Sequence, residues 1–151
     1  MKTILDVCCG SKMFYHQKNH PNVLYMDIRN ETHTLCDGRV LEIKPDIVGD
    51  FRKIPFENET FDTVIFDPPH LIKLGKESWL AKKYGQLLPT WDLDIKQGFE
   101  ECFRVLKPLG TLIFKWSETD IKITDILALT SKQPLLMQNT FNKSHWIIFI
   151  K

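Results

Sequence analysis

The strongest constraint on the fold is a repeated pattern of short apolar runs that contain or meet an acid. "TILDVC" (3 to 8), "NVLYMD" (22 to 27), "PDIVGD" (45 to 50), "FDTVIFD" (61 to 67) and "GTLIFKW" (110 to 116) each have the length and composition of a buried strand, and the first four carry an aspartate at or near their ends. Between the last two lies "DLDIKQGFEECFRVLKPLG", in which Ile95, Phe99, Cys102, Phe103 and Leu106 recur at steps of three and four. That spacing predicts an amphipathic helix, stopped by Pro108 and Gly110. Strands that alternate with helices and stay apolar on both faces belong to a mostly parallel sheet covered by helices, an α/β fold.

The remaining segments fill in the order. Ser11 is placed to cap a helix after the turn at Gly10, and a helix there would set His16 and His20 one turn apart. "THTLCDGRVLEI" carries Asp37-Gly38 between two alternating runs, which predicts a β-hairpin over about 32 to 43 where a helix would be usual. A second helix is expected over "DIKITDILALTSK", and "PLLMQNTF" and "SHWIIFIK" close the chain as an antiparallel pair.

Length and composition set the outer bounds. A chain of 151 residues, 43% hydrophobic, has the size of one domain, so residues 1–151 are expected to form one unit, with no Gly/Ser linker or repeat to divide it. The formal net charge of +1 gives no global field for nucleic acid or an anionic membrane, so such a partner would be met by a local patch. No apolar stretch approaches a membrane span, and the apolar N-terminal run is too short and too soon broken by Asp6 for a signal peptide. Cys8, Cys9, Cys36 and Cys102 have neither disulfide-framework nor zinc-site spacing. These features predict a reduced, cytoplasmic protein with no metal and no membrane contact.

Sheets of this kind bind ligands beyond the carboxyl ends of their strands. Asp27, Asp50 and Asp67 are therefore expected to face one crevice, with Asp6 just inside the first turn. The last of these acids opens "DPPH", a strand end followed at once by two prolines and a histidine.

Taken in order, these motifs resemble the class I S-adenosylmethionine-dependent methyltransferases, and the match runs over most of the chain. "ILDVCCGSKMF" resembles the family's first motif, "YMDIR" the second, and "VGDFRKIPFENETFDTVIFDPPH" the third and fourth. "FEECFRVLKPLGTLIFKW" is similar to its helix and fifth strand. The resemblance implies a Rossmann-like sandwich with an antiparallel C-terminal strand, S-adenosyl-L-methionine as cofactor, and cofactor-binding roles for Asp6, Cys8, Gly10, Asp27, Ile28, Asp50, Phe51 and Asp67. Physical reasons stand beside it. A carboxylate at a strand end can accept both hydroxyls of a ribose, which suits Asp27, and Asp50 after Gly49 could accept the adenine amine, with Phe51 against the ring. The chain departs from the family's Gly-rich first motif at Cys8 and Lys12. A dinucleotide-dependent dehydrogenase is disfavoured, because G-x-G-x-x-G is missing.

The tetrad Asp67, Pro68, Pro69 and His70 resembles the catalytic loop of methyltransferases that act on planar amines, above all the exocyclic amine of adenine in DNA or RNA. Prolines fix φ and cannot donate, so the Pro68 carbonyl would stand beside the Asp67 carboxylate as a second acceptor for the amine. His70 would stack on a flipped base or act as a base near neutral pH. The segment 71 to 91 carries Lys73, Lys76, Lys82 and Lys83 against Glu77 alone, with Trp79, Tyr84 and Trp91 interleaved. Lysines among aromatics suit a phosphate backbone and unstacked bases, so Lys73, Trp79, Lys82, Lys83 and Tyr84 are the candidate substrate-binding residues. The same segment suits a lid over a small-molecule or protein substrate. A chain this short has no room for a separate target-recognition domain, so a nucleic-acid enzyme would need self-association or a recognition subunit. A binding module that has lost catalysis is the reading to which Cys8 and Lys12 point.

Overall fold

Seven strands hydrogen-bond into one sheet, and a separate two-stranded hairpin stands beside it. The structure, a computed structural model, describes residues 1–75, 78–139 and 143–151, so Lys76 and Glu77 of the basic segment and Thr140 and Phe141 of the last strand pair lie outside the described residues.

In chain order the elements are β1 (Ile4–Asp6), β2 (Val23–Asp27), β3 (Glu31–Thr34), β4 (Val40–Ile43), β5 (Ile47–Val48) and β6 (Phe61–Phe66). Then come α1 (Trp79–Tyr84), α2 (Trp91–Val105), β7 (Leu106–Ser117), α3 (Ile123–Leu127), β8 (Leu136–Asn139) and β9 (Ser144–Ile150). The sheet order is β5-β2-β1-β6-β7-β9-β8. β5, β2, β1, β6 and β7 run parallel to one another, while β9 is antiparallel to both β7 and β8. The expected mostly parallel sheet with an antiparallel C-terminal strand is what forms.

The main core lies between this sheet and α2. Ile95, Phe99, Cys102 and Phe103 are buried on the helix face that periodicity predicts, and Phe99 meets Phe66, Phe114 and Phe149 at ring distances of 5.6, 4.8 and 6.0 Å. The helix ends at Val105, and the chain turns extended at Leu106, four residues before Gly110, where the strand was expected to start. The extra length carries a register irregularity against β6 between Phe61 and Thr63, and Leu109 sits at φ 62°. The hairpin of β3 and β4 forms as expected, closed by a Gly38 N–H donating to the Leu35 carbonyl and a Leu35 N–H donating to Arg39.

The helix expected after Gly10 does not form. Residues 7 to 22 run as turns, with Gly10 at φ 50° and Lys12 at φ 56°, both in the left-handed region that a right-handed helix excludes. The sequence supplies the reason. "MFYHQKNHP" places three large residues in a row and then a polar run, with no apolar residue at the three and four residue steps that would give a helix a face to bury. Tyr15 instead packs edge-on to Tyr25 at 5.1 Å, and Phe14 edge-on to Trp146 at 5.5 Å. His16 and His20 therefore share no helix face. The second predicted helix contracts to α3, and the basic segment, to which no helix was assigned, contains α1. Ser78 caps α1 by accepting from the Leu80 N–H, and Gly85 ends it at φ 76°, where an L side chain would be strained.

Candidate active site

A cavity of about 210 Å³ opens beyond the carboxyl ends of β1, β2 and β6. Of the strand-end acids, Asp27 and Asp67 line it, together with Cys8, Gly10, Ile28, Phe51, Pro68, Pro69 and His70.

Asp27, the last residue of β2, is almost fully buried. Its Oδ2 accepts from the Gly10 N–H at 2.8 Å, and its Oδ1 accepts from the backbone N–H and Nε of Arg29 at 2.9 and 3.2 Å. Each carboxylate oxygen can accept two bonds, so Oδ2 keeps capacity for one more donor and Oδ1 gains it when the Arg29 side chain turns away. Ile28 is exposed at the rim, and Phe51 lies 5.2 Å from Phe66, packed against α2 where Gly98 has no side chain. Two apolar surfaces beside an acceptor suit a nucleoside.

Asp67 follows β6 and stands in the same cavity. Its Oδ2 is 3.4 Å from Lys115 Nζ, and burial pushes its carboxyl up to about 6 against the opposing pull of that ammonium. No hydrogen bond to the Pro68 carbonyl is found among the described residues. The His70 ring is bracketed by Tyr84 at 5.6 Å and Trp116 at 6.3 Å. Burial first and the Lys115 charge second hold its imidazole below the ordinary histidine value, while Asp120 pulls the other way.

Two expected acids fall outside the cavity. Asp50 follows β5, but Arg52 takes its carboxylate through Nε at 3.0 Å and Nη2 at 2.6 Å, and Arg52 in turn reaches Asp94 of α2 at 3.2 Å. This ties the turn after β5 to the helix and leaves Phe51, not Asp50, on the cavity wall. Asp6 is fully buried behind the cavity, where its carboxylate accepts from the Tyr15 hydroxyl at 2.7 Å and the Cys8 N–H at 3.1 Å. Burial pushes its carboxyl up to about 7. Burial likewise raises the Cys8 thiol, which keeps it protonated and unreactive.

Of the candidate substrate residues, Lys83 and Tyr84 line the cavity, together with Gly85 and Gln86. Lys73, Trp79 and Lys82 do not: Lys73 and Trp79 are exposed, and Lys82 contributes its carbonyl to Arg29 Nη1 at 2.9 Å. Among the lining residues that escaped the sequence reading are Met13, Phe14, Arg29 and Lys115. Lys115 alone left a signal, as the lone charge in an apolar strand.

No family model matches the chain, and no curated protein matches its sequence. Solved structures do match. A protein from Pyrococcus horikoshii superposes with a TM-score of 0.65 at 20% identity, over 97% of this chain and 80% of that one. An S-adenosylmethionine-dependent methyltransferase from Aquifex aeolicus superposes with a TM-score of 0.55 at 14% identity, over 99% and 81%. Another from Leishmania major gives 0.54 at 12%, over 98% of this chain and 63% of its own. The mostly parallel sheet with its antiparallel C-terminal strands is thus that of the Rossmann-like methyltransferase fold.

Proposed function

We propose that the chain is an S-adenosylmethionine-dependent methyltransferase that transfers a methyl group to an amine, with the exocyclic amine of adenine in DNA or RNA as the acceptor. One observation carries the reading: Asp67, followed by two rigid prolines, stands in the same cavity as the strand-end acid Asp27.

The donor set fits the cofactor. Asp27 has acceptor capacity for a ribose hydroxyl, Ile28 and Phe51 offer apolar surface to an adenine, and the backbone at Gly10 lies open beside them. The cavity is smaller than the roughly 300 to 1,000 Å³ usual for a ligand of this size. Arg29 and the Lys83–Gln86 stretch line it, so an outward movement of either would enlarge it. S-adenosylmethionine supplies an electrophilic methyl group when bound.

The chain's own groups do the rest. Asp67 and the Pro68 carbonyl accept the two protons of the amine, which turns the nitrogen lone pair toward the methyl group. His70, neutral at pH 7 and fixed between Tyr84 and Trp116, gives a planar wall for the acceptor ring. Transfer of the methyl group from the sulfonium sulfur, with S-adenosylhomocysteine leaving, would put one proton too many on nitrogen, and Asp67, with its carboxyl near 6, is suited to take it and pass it to water. Lys83 beside Tyr84 and Trp79 supplies cation and ring surface to a nucleotide strand, with the rest of target recognition coming from a second copy or a partner subunit.

A second reading has its own support. The bond from Arg29 to the Lys82 carbonyl holds α1 against the cavity, as a lid over a small substrate would be held. Transfer of labelled methyl groups to duplex DNA, single-stranded DNA, RNA and a metabolite extract separates the two. Label in a nucleic-acid fraction supports the first reading; label in the metabolites alone replaces it with the second. Cofactor binding without transfer to any of them means a binding module.

A further inference from the structure

We propose that Lys115 is the positioning residue that holds Asp67 in its acceptor form and in one place, by setting an ammonium against the carboxylate from a cage of two aromatic rings. The inference rests on the amine-transfer reading for its consequence, but its physical content concerns two side chains of this chain alone.

Alternation along β7 puts Phe114 and Trp116 in the core on the α2 side and turns Lys115 to the other face. There its cross-strand partner is Trp146 of β9. Lys115 Nζ lies 5.8 Å from the Trp146 ring centroid and 5.7 Å from that of Phe14, within the range at which a ring face attracts a cation. The two rings meet edge-on at 5.5 Å, so they form one wall, and the remaining side of the ammonium faces Asp67 Oδ2 at 3.4 Å. The turn stretch that replaces the expected first helix is what brings Phe14 to this place. A lysine partly buried among rings loses some of its hydration, and the carboxylate compensates it.

Asp67 needs such a partner. Asp6 of β1 and Asp27 of β2 stand near it, the Cys8 thiol lines the same cavity, and His70 on its own loop is held neutral. The other cations of the cavity are committed elsewhere, Arg29 to Asp27 and the Lys82 carbonyl, and Lys83 over the rings of Trp79 and Tyr84. Removing the ammonium leaves burial acting on Asp67 unopposed, and burial favours the protonated form. A protonated Asp67 is a donor on one oxygen and turns the acceptor amine the wrong way.

The test is a carbon-13 NMR titration of the aspartate carboxyls in ligand-free protein, with the Asp67 resonance assigned by its loss in Asp67→Asn. The Asp67 midpoint should rise by about 1 to 3 pH units in Lys115→Met and return close to the wild-type value in Lys115→Arg. Lys115→Gln serves as a second neutral variant if Lys115→Met does not fold. In a transfer assay the acid limb should move with the midpoint, giving about a tenfold loss at pH 7 for each unit it moves above neutrality. A midpoint unchanged in both neutral variants overturns the inference. A shifted midpoint in a protein that methylates no amine keeps the Lys115–Asp67 relation and rejects the amine-transfer reading instead.

Discussion

Arg29 joins Asp27 to the carbonyl oxygen of Lys82: one guanidinium donates through Nε to the carboxylate at 3.2 Å and through Nη1 to the last turn of α1 at 2.9 Å. The acid proposed to take the ribose thus shares its partner with the segment that narrows the cavity. Gly85, where a Cβ would come within 3.1 Å of Pro69, lets that segment close down on the tetrad. A hydrogen bond to a charged donor contributes about 1.5 to 3 kcal/mol, so Arg29→Ala should speed amide exchange over 80 to 86 by roughly tenfold or more while leaving the sheet amides protected. Hydrogen-exchange mass spectrometry reads this directly. Equal protection in the variant would show that α1 is held by packing alone.

Asp27 and Asp67 should separate binding from transfer. Asp27→Asn replaces one acceptor oxygen with a donor that meets the Gly10 N–H or the Arg29 fork head-on. Binding of S-adenosylhomocysteine, followed by calorimetry, should weaken by about 10- to 100-fold, the equivalent of one or two lost hydrogen bonds. Asp67→Ala should leave that binding within about threefold and reduce transfer by roughly a hundredfold or more. The opposite pattern would mean the two roles are exchanged.

Gly98 marks where α2 supports the cavity. A Cβ there would stand 2.6 Å from the Phe66 ring and 2.7 Å from the Phe51 ring. Alanine is better than glycine in a helix by about 1 kcal/mol, yet overpacking a core costs about 1 to 3 kcal/mol. Phe66 is fully buried and cannot yield, so Phe51 must swing toward the cavity. Gly98→Ala should therefore lower the urea midpoint and weaken cofactor-product binding together. A stabilised variant with normal binding would show that Phe51 has room to give.

The parts of this molecule that were legible in the sequence are those set by pattern. The periodicity of Ile95, Phe99, Cys102 and Phe103 and the alternating runs around Asp37-Gly38 led to the right elements, because burial of a face dictates them. The helix after Gly10 was expected from the order of elements, although 11 to 20 has no apolar face, and that local fact prevailed. Asp27 and Asp67 could be placed in the crevice because they end strands of the sheet centre. Asp50 looked equivalent, but its neighbour Arg52, two residues on, captures it, and no spacing rule foretells which of two close charges wins. Arg29 and Lys115 act through contacts across 53 and 48 residues, and such contacts appear only once the chain is folded.

Asp6 should leave a signature in stability. It is fully buried, and burial pushes its carboxyl from the ordinary 3.8 to about 7 even though the Tyr15 hydroxyl and the Cys8 N–H both pull it down. The folded state then holds a proton that the unfolded chain has released between these two values. Stability through this group is therefore greatest below the unfolded value and declines as pH rises, until the folded carboxyl has also ionised near 7. The loss amounts to about 4 kcal/mol at most, from about 1.36 kcal/mol per unit. Asp6→Asn cannot ionise, and its amide can still accept from the Cys8 N–H and donate to the Tyr15 oxygen. The melting temperature of Asp6→Asn relative to the parent should climb between about pH 4 and pH 7 and then level off. Parallel melting curves for the two proteins across that range, measured by calorimetry, would place the Asp6 carboxyl at its ordinary value and remove the cost assigned to its burial.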